Sequence, residues 1–175
     1  MDTQQAAQAQ RVYAQLERAL RAGDLGQLPA EVSHAADFPN VLDPYTDTPL
    51  LALAISWAPV SAVRQLLSFG ADPNFEALDG FPALLGAVMA GRPDTSSLLQ
   101  VLLDAGAEVD RQGINGWTAL HAAASRGDDI SARLLLAAGA NSQVRTGIDS
   151  DATPFDEARR AGAKRVVELL HRESN

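Results

Sequence analysis

Thr118-Ala119-Leu120-His121-Ala122-Ala123-Ala124, closed by Gly127 and followed by Leu135-Leu136 and Gly139-Ala140, sets the pattern from which the rest of the chain is read. Three relatives of the phrase stand 34 to 36 residues apart: Thr48-Pro49-Leu50-Leu51-Ala52-Leu53-Ala54, Pro82-Ala83-Leu84-Leu85-Gly86-Ala87-Val88 and Thr153-Pro154-Phe155-Asp156-Glu157-Ala158-Arg159. Each is trailed by a leucine pair, Leu66-Leu67, Leu102-Leu103 and Leu169-Leu170. The first two pairs run on into Gly70-Ala71-Asp72 and Gly106-Ala107. A fixed period of this size marks supersecondary units that cannot bury an apolar face alone and so stack on their neighbours. Such an array works by presenting a surface, which favours binding over catalysis before any single residue is weighed.

Within a copy the residues act as punctuation. Thr48, Thr118 and Thr153 suit an N-cap, whose hydroxyl accepts a bond from an unpaired amide of the first turn. Pro49 and Pro154 then fit the first helical position, where a missing N–H costs nothing. Gly91, Gly127 and Gly162, nine residues after the cap position, suit the left-handed turn that ends a short helix. A second helix ends in the leucine pair, and Gly70, Gly106 or Gly139 stops it in the same way. Ala-rich inner positions let neighbouring helices approach closely. The intervening segments of eight to ten residues are too polar for core and too regular for a flexible linker.

These features together resemble the ankyrin-repeat family, most closely in Asn115-Gly116-Trp117-Thr118-Ala119-Leu120-His121-Ala122-Ala123. The resemblance covers roughly residues 40–175. It implies an all-α solenoid of stacked helix-turn-helix units with hairpin-like finger loops. Its repeats occupy residues 41–74, 75–110, 111–143 and 144–175, and a degenerate capping unit lies at about 8–40. It also implies that the His121 imidazole braces its turn by hydrogen bonds, and that fingers and first helices share a concave binding face. Mapped onto this chain, the variable exposed positions are Tyr45 and Asp47 with Ile55 and Ser56, then Asp79 and Phe81 with Met89 and Ala90. The third unit contributes Asn115 and Trp117 with Ser125 and Arg126, and the fourth Ser150 and Ala152 with Arg160. Tyr45, Phe81 and Trp117 thus line up near finger tips, as interface anchors or as packing between fingers.

Departures from the pattern are as informative. Trp57-Ala58-Pro59 stands where the other units have a turn glycine. Pro82-Ala83 replaces Thr-Pro, and Arg92-Pro93-Asp94 opens a loop about two residues longer. The last finger is also longer, through Gly147-Ile148-Asp149-Ser150-Asp151, and Asp156 stands at the position of His121.

The net charge of −8 is uneven: in residues 22–91 one basic residue, Arg64, faces eight acids, a local charge of −7. An acidic field repels phosphate and argues against nucleic acid, while it is compatible with a basic protein partner. No Cys is present, which removes disulfides and thiolate chemistry and fits a reducing, cytoplasmic setting. The first residues read as no secretory signal, and no apolar run approaches the ~18 residues of a membrane span.

Catalytic constellations are missing. His34 and His171 are isolated, so no metal or other cofactor is expected. Asp149-Ser150-Asp151 lacks the oxygens and the glycine turn of a calcium loop. Arg126-Gly127-Asp128 reads as the repeated turn, and Arg159, Arg160, Lys164 and Arg165 as the polar face of a terminal unit. The expectation is a non-catalytic interaction module, monomeric when free, that binds another protein. The narrower alternative is an inhibitor or immunity protein covering a toxin or enzyme. An enzyme or small-molecule binder is the remote one.

Overall fold

The computed structural model describes residues 3–34, 37–75, 80–147 and 151–173. Four antiparallel helix pairs follow an N-terminal cap. The cap is α1 (Thr3–Ala22) and the single turn α2 (Ala30–Ser33). The pairs are α3 (Leu50–Trp57) with α4 (Val60–Ser68), α5 (Ala83–Ala90) with α6 (Thr95–Asp104), α7 (Ala119–Arg126) with α8 (Asp129–Ala137), and α9 (Pro154–Arg160) with α10 (Lys164–Glu173). First helices pack on first helices, α3 on α5 on α7 on α9, and second helices form a parallel row, α4 on α6 on α8 on α10. This is the helical repeat solenoid that the period requires, with one core running through every layer.

Small residues make the close stacking possible. Ala54, Ala87, Ala122, Ala123, Ala124 and Ala158 are buried along the inner row. Leu66, Leu102 and Leu135, the first leucine of the first three pairs, are fully buried in the outer row, and in the fourth pair the second, Leu170, takes that place. In the cap, Leu16, Leu20 and Leu25 complete the core, and Gln65 of α4 fastens it by accepting from the Leu25 amide at 2.6 Å. Burying a leucine contributes roughly 1.5–3 kcal/mol, so continuity across layers outweighs any surface pairing.

The helix ends follow local chemistry. Thr118 and Thr153 each accept from the amide three residues on, while His121 Nδ1 and Asp156 Oδ2 accept from the two threonine amides in return. Each pair is a capping box. Thr48 departs from the expected cap and Pro49 from the first helical position. Pro49 precedes the helix, which starts at Leu50, and the Thr48 hydroxyl bonds to that of Thr46 at 2.9 Å. The residue three beyond Thr48 is Leu51, which offers no return acceptor. A short backbone ladder fixes this entry instead: the Leu50 amide donates to Val41 O and the Asp43 amide to Thr48 O, both at 2.8 Å.

The two departures between units prove to be one device. With no glycine to turn it, α3 ends as Ala58 becomes extended and Pro59 opens α4. The Arg92 guanidinium reaches back from the next unit and donates to Ile55 O at 3.0 Å. Its remaining nitrogens grip Asp94 at 2.9 and 2.7 Å. The longer loop therefore supplies the helix end that the preceding unit lacks.

A second linkage runs along the other edge. The Asn40 side chain accepts from the Asp72 amide and donates to Gly70 O; Asn74 repeats this with the Glu108 amide and Gly106 O. Asp110 takes the third place and accepts from the Asn141 amide.

Candidate binding face

The finger of the third unit is a tight turn, Ile114–Gly116, in which Asn115 takes a left-handed conformation. It lies directly on the second finger, since the Ile114 amide donates to Gly80 O at 3.0 Å. Gly113 is required there: a Cβ at that residue would fall 2.3 Å from Gly80 O. This close approach places Ile114 and Trp117 over the first turns of α5. Phe81 stands just before that helix. Leu85 and Met89, four residues apart, share one of its faces.

Phe81, Leu85, Met89, Ile114, Asn115 and Trp117 together line an open groove of about 290 Å³. Leu85 is buried as its floor, Phe81 and Trp117 are half-buried walls, and Met89 and Ile114 are 42% and 51% exposed at its rim. Four of the six, Phe81, Met89, Asn115 and Trp117, are residues the sequence singles out. Leu85 and Ile114 are not. Leu85 stands where unit three has His121, and Ile114 is an exposed apolar residue within a polar finger, so both carried a readable signal. Trp117 also lies against the His121 ring, with centroids 6.1 Å apart, so it packs as well as lines.

The other predicted positions fall elsewhere. Tyr45, 75% exposed, and Asp47 belong to the first finger, which Asp43 shapes by accepting from the Tyr45 and Thr46 amides. Burial alone would raise the Asp43 carboxyl. Hydrogen bonds from the Tyr13 hydroxyl and those amides outweigh it and hold the carboxyl below the usual range. Ser125 is half-buried and bonds to Ala122 O. Arg126 is exposed beside Gly91. Arg160 pairs with the buried Glu157 at 2.7 Å, in a separate charged cleft with Asp156 and Arg159. Two positions expected on the surface are in fact core: Ile55 is 2% exposed because it points into the helix stack, and Ala152 is 2% exposed beneath the fourth finger. Asp79 and Ser150 lie outside the described residues, as does Asp149.

His121 is fully buried, with Nδ1 accepting from the Thr118 amide and Nε2 facing Ala152 O at 3.1 Å. These contacts assign the proton to Nε2. Burial pushes the imidazole below its ordinary pKa, against the opposing pull of the Ala152 carbonyl. The ring bridges two layers of fingers. Among the described residues no group of three or more His, Asp or Glu is placed to hold a metal ion. No helix among them is long and apolar enough to cross a membrane.

A family model described as ankyrin repeats, in three copies, matches residues 84–175. The chain is 35% identical over 107 residues to a putative ankyrin repeat-containing protein of Treponema pallidum (strain Nichols), covering 61% of this chain and 35% of that protein. It is 34% identical over 118 residues to a probable E3 ubiquitin-protein ligase of Oryza sativa subsp. japonica, covering 66% of this chain and 22% of the ligase. With the protein PhlB of Serratia liquefaciens it shares 43% identity over 76 residues, 43% of this chain and 32% of PhlB. The chain thus spans no more than 35% of the length of any of these three relatives.

Proposed function

From the premise that this chain belongs to the ankyrin-repeat family, whose repeats are protein-interaction modules, we propose that it binds another protein without catalysis, on the face shared by its fingers and first helices. The observation that carries this reading is the convergence of Phe81, Met89, Asn115 and Trp117 with Leu85 and Ile114 on one open apolar groove. Exposed apolar and aromatic side chains beside charged ones have the composition of an interface centre with its polar rim. The groove is also small. Pockets for drug-sized ligands run from about 300 to 1,000 Å³ and enclose most of the ligand, whereas this one is open and about 290 Å³. It suits a side chain better than a free metabolite. The acidic first half favours a basic partner by steering its approach.

The test is affinity capture from a lysate of the source organism, followed by rebinding of the purified captured protein. Wild type would be compared with a Tyr45→Ala/Asp47→Lys/Met89→Glu variant. A protein bound by the first and lost by the second, at matched melting temperatures, supports the reading. A partner bound equally by both places the interaction on another surface.

A further inference from the structure

Three unengaged polar groups belong to the fingers and first helices that flank or line the groove. Seven of the described arginines are in ion pairs, among them Arg92 with Asp94, Arg111 with Glu108 and Arg160 with Glu157. By contrast, among the described residues the Asp47 carboxylate, the Asn115 carboxamide and the Arg126 guanidinium take part in no hydrogen bond or ion pair. They occupy ordered places. Asp47 is on the first finger, Asn115 on the lip of the groove, and Arg126 at the end of α7, with its guanidinium over Gly91, two residues beyond Met89. The sequence across this face is therefore anion, apolar cleft with an amide at its lip, then cation.

The proposal rests on the reading above that this face binds protein. We propose that the groove receives one bulky apolar side chain of an extended partner segment, with a basic residue of that segment on Asp47 and an acidic residue on Arg126. The Asn115 carboxamide, with one donor group and one acceptor, meets the segment's backbone beside the anchor. Helix layers stack about 8–10 Å apart, so crossing from the first unit to the third covers roughly 20 Å, and the length of α7 from finger to Arg126 adds about 12 Å at right angles, about 23 Å in all. At about 3.3 Å per residue, a run of about seven extended residues bridges that distance with the anchor in its interior. Opposite charges at the two ends fix the segment's direction, and a segment laid the other way would meet like charges at both.

The experiment is a selection of random 12-residue displayed peptides on the full chain, followed by binding measurements with the recovered peptides made synthetically. Recovered sequences should share a Leu, Met, Phe or Trp, with a Lys or Arg on one side and an Asp or Glu on the other, always in the same order. Their affinity should fall at least tenfold on Met89→Glu and on Ile114→Glu. It should fall severalfold on Asp47→Lys and on Arg126→Glu. Met89 and Ile114 are rim residues, and circular dichroism melts of the two variants would establish that they fold. Peptides indifferent to Met89→Glu and Ile114→Glu overturn the groove. If those same peptides are lost on Tyr45→Ala, protein binding by the shared face stands while the groove falls. Charges scattered without order, or no peptide recovered, also overturn the proposal.

Discussion

Removing the Arg92 guanidinium should uncouple the first repeat from the second. The group is 13% exposed and makes a charge-assisted bond to Ile55 O at 3.0 Å, besides its fork on Asp94. A hydrogen bond to a charged group contributes about 1.5–3 kcal/mol. The additional approach to Ala54 O, at 3.5 Å, adds little, because that carbonyl already accepts from the Ala58 amide at 2.8 Å. Asp94 is 42% exposed, so its loss of a partner is largely met by water. Arg92→Ala should therefore cost about 2–4 kcal/mol, or a drop of roughly 5–15 °C in melting temperature for a domain of this length. Arg92→Lys keeps the charge without the fork and should lose about half as much. Urea unfolding followed by circular dichroism gives the total. Trp57, which ends α3 under the Arg21 guanidinium at 4.8 Å, gives the local signal by fluorescence in a Trp117→Phe background. In Arg92→Ala its transition should precede the global one. If Arg92→Ala lies within about 0.5 kcal/mol of wild type with coincident transitions, the guanidinium does not cap this helix and the reasoning fails.

Acidification should destabilise the protein in two steps. The folded His121 pKa lies below its unfolded value, so the unfolded chain takes the proton first; this stability is full above about pH 6.5 and is lost as pH falls. His121→Gln should abolish that step in urea titrations, while the loss below about pH 4 from Asp94 and Asp156, whose folded pKa values are lowered, persists. Asn74→Ala breaks both bonds to the next layer and should cost about 1–2 kcal/mol in chemical unfolding. Gly106→Val finds open space around its Cβ but must hold φ near +88°, so it should cost about 1–3 kcal/mol through backbone strain alone. Tyr45→Ala, by contrast, should leave the melting temperature nearly unchanged, since three-quarters of that residue faces solvent.

The sequence made the stacking legible because its cause is periodic: the leucine pair recurs in every unit, and a turn glycine follows it in the first three. The binding face was legible only in part. Met89, Asn115 and Trp117 follow from their place within a unit, but the groove itself belongs to two units and forms because Gly113 lets one finger lie on the next. Leu85 and Ile114 become neighbours only through that approach. Ile55 misled for a different reason: its side chain is buried in the helix stack, while Ser56 and Trp57 beside it in the last turn of α3 are the exposed positions. Thr48 misled because Leu51 stands where the other capped units carry His121 or Asp156, so the threonine amide finds no side-chain acceptor in return.

The asparagine rungs carry an implication for how such a chain can grow. Each rung reads only the backbone of the layer after it, and the reading of Asn40 on Gly70 and Asp72 is repeated by Asn74 on Gly106 and Glu108. A duplicated layer inserted behind either asparagine would meet the same backbone contacts along this edge, leaving Gln65 on the cap and Arg92 on Ile55 O as the contacts specific to each seam. Asp110 accepts but cannot donate, so the seam after it is not interchangeable with the other two. Along this edge the first two seams are interchangeable, and the third is where the repeated rung changes its chemistry.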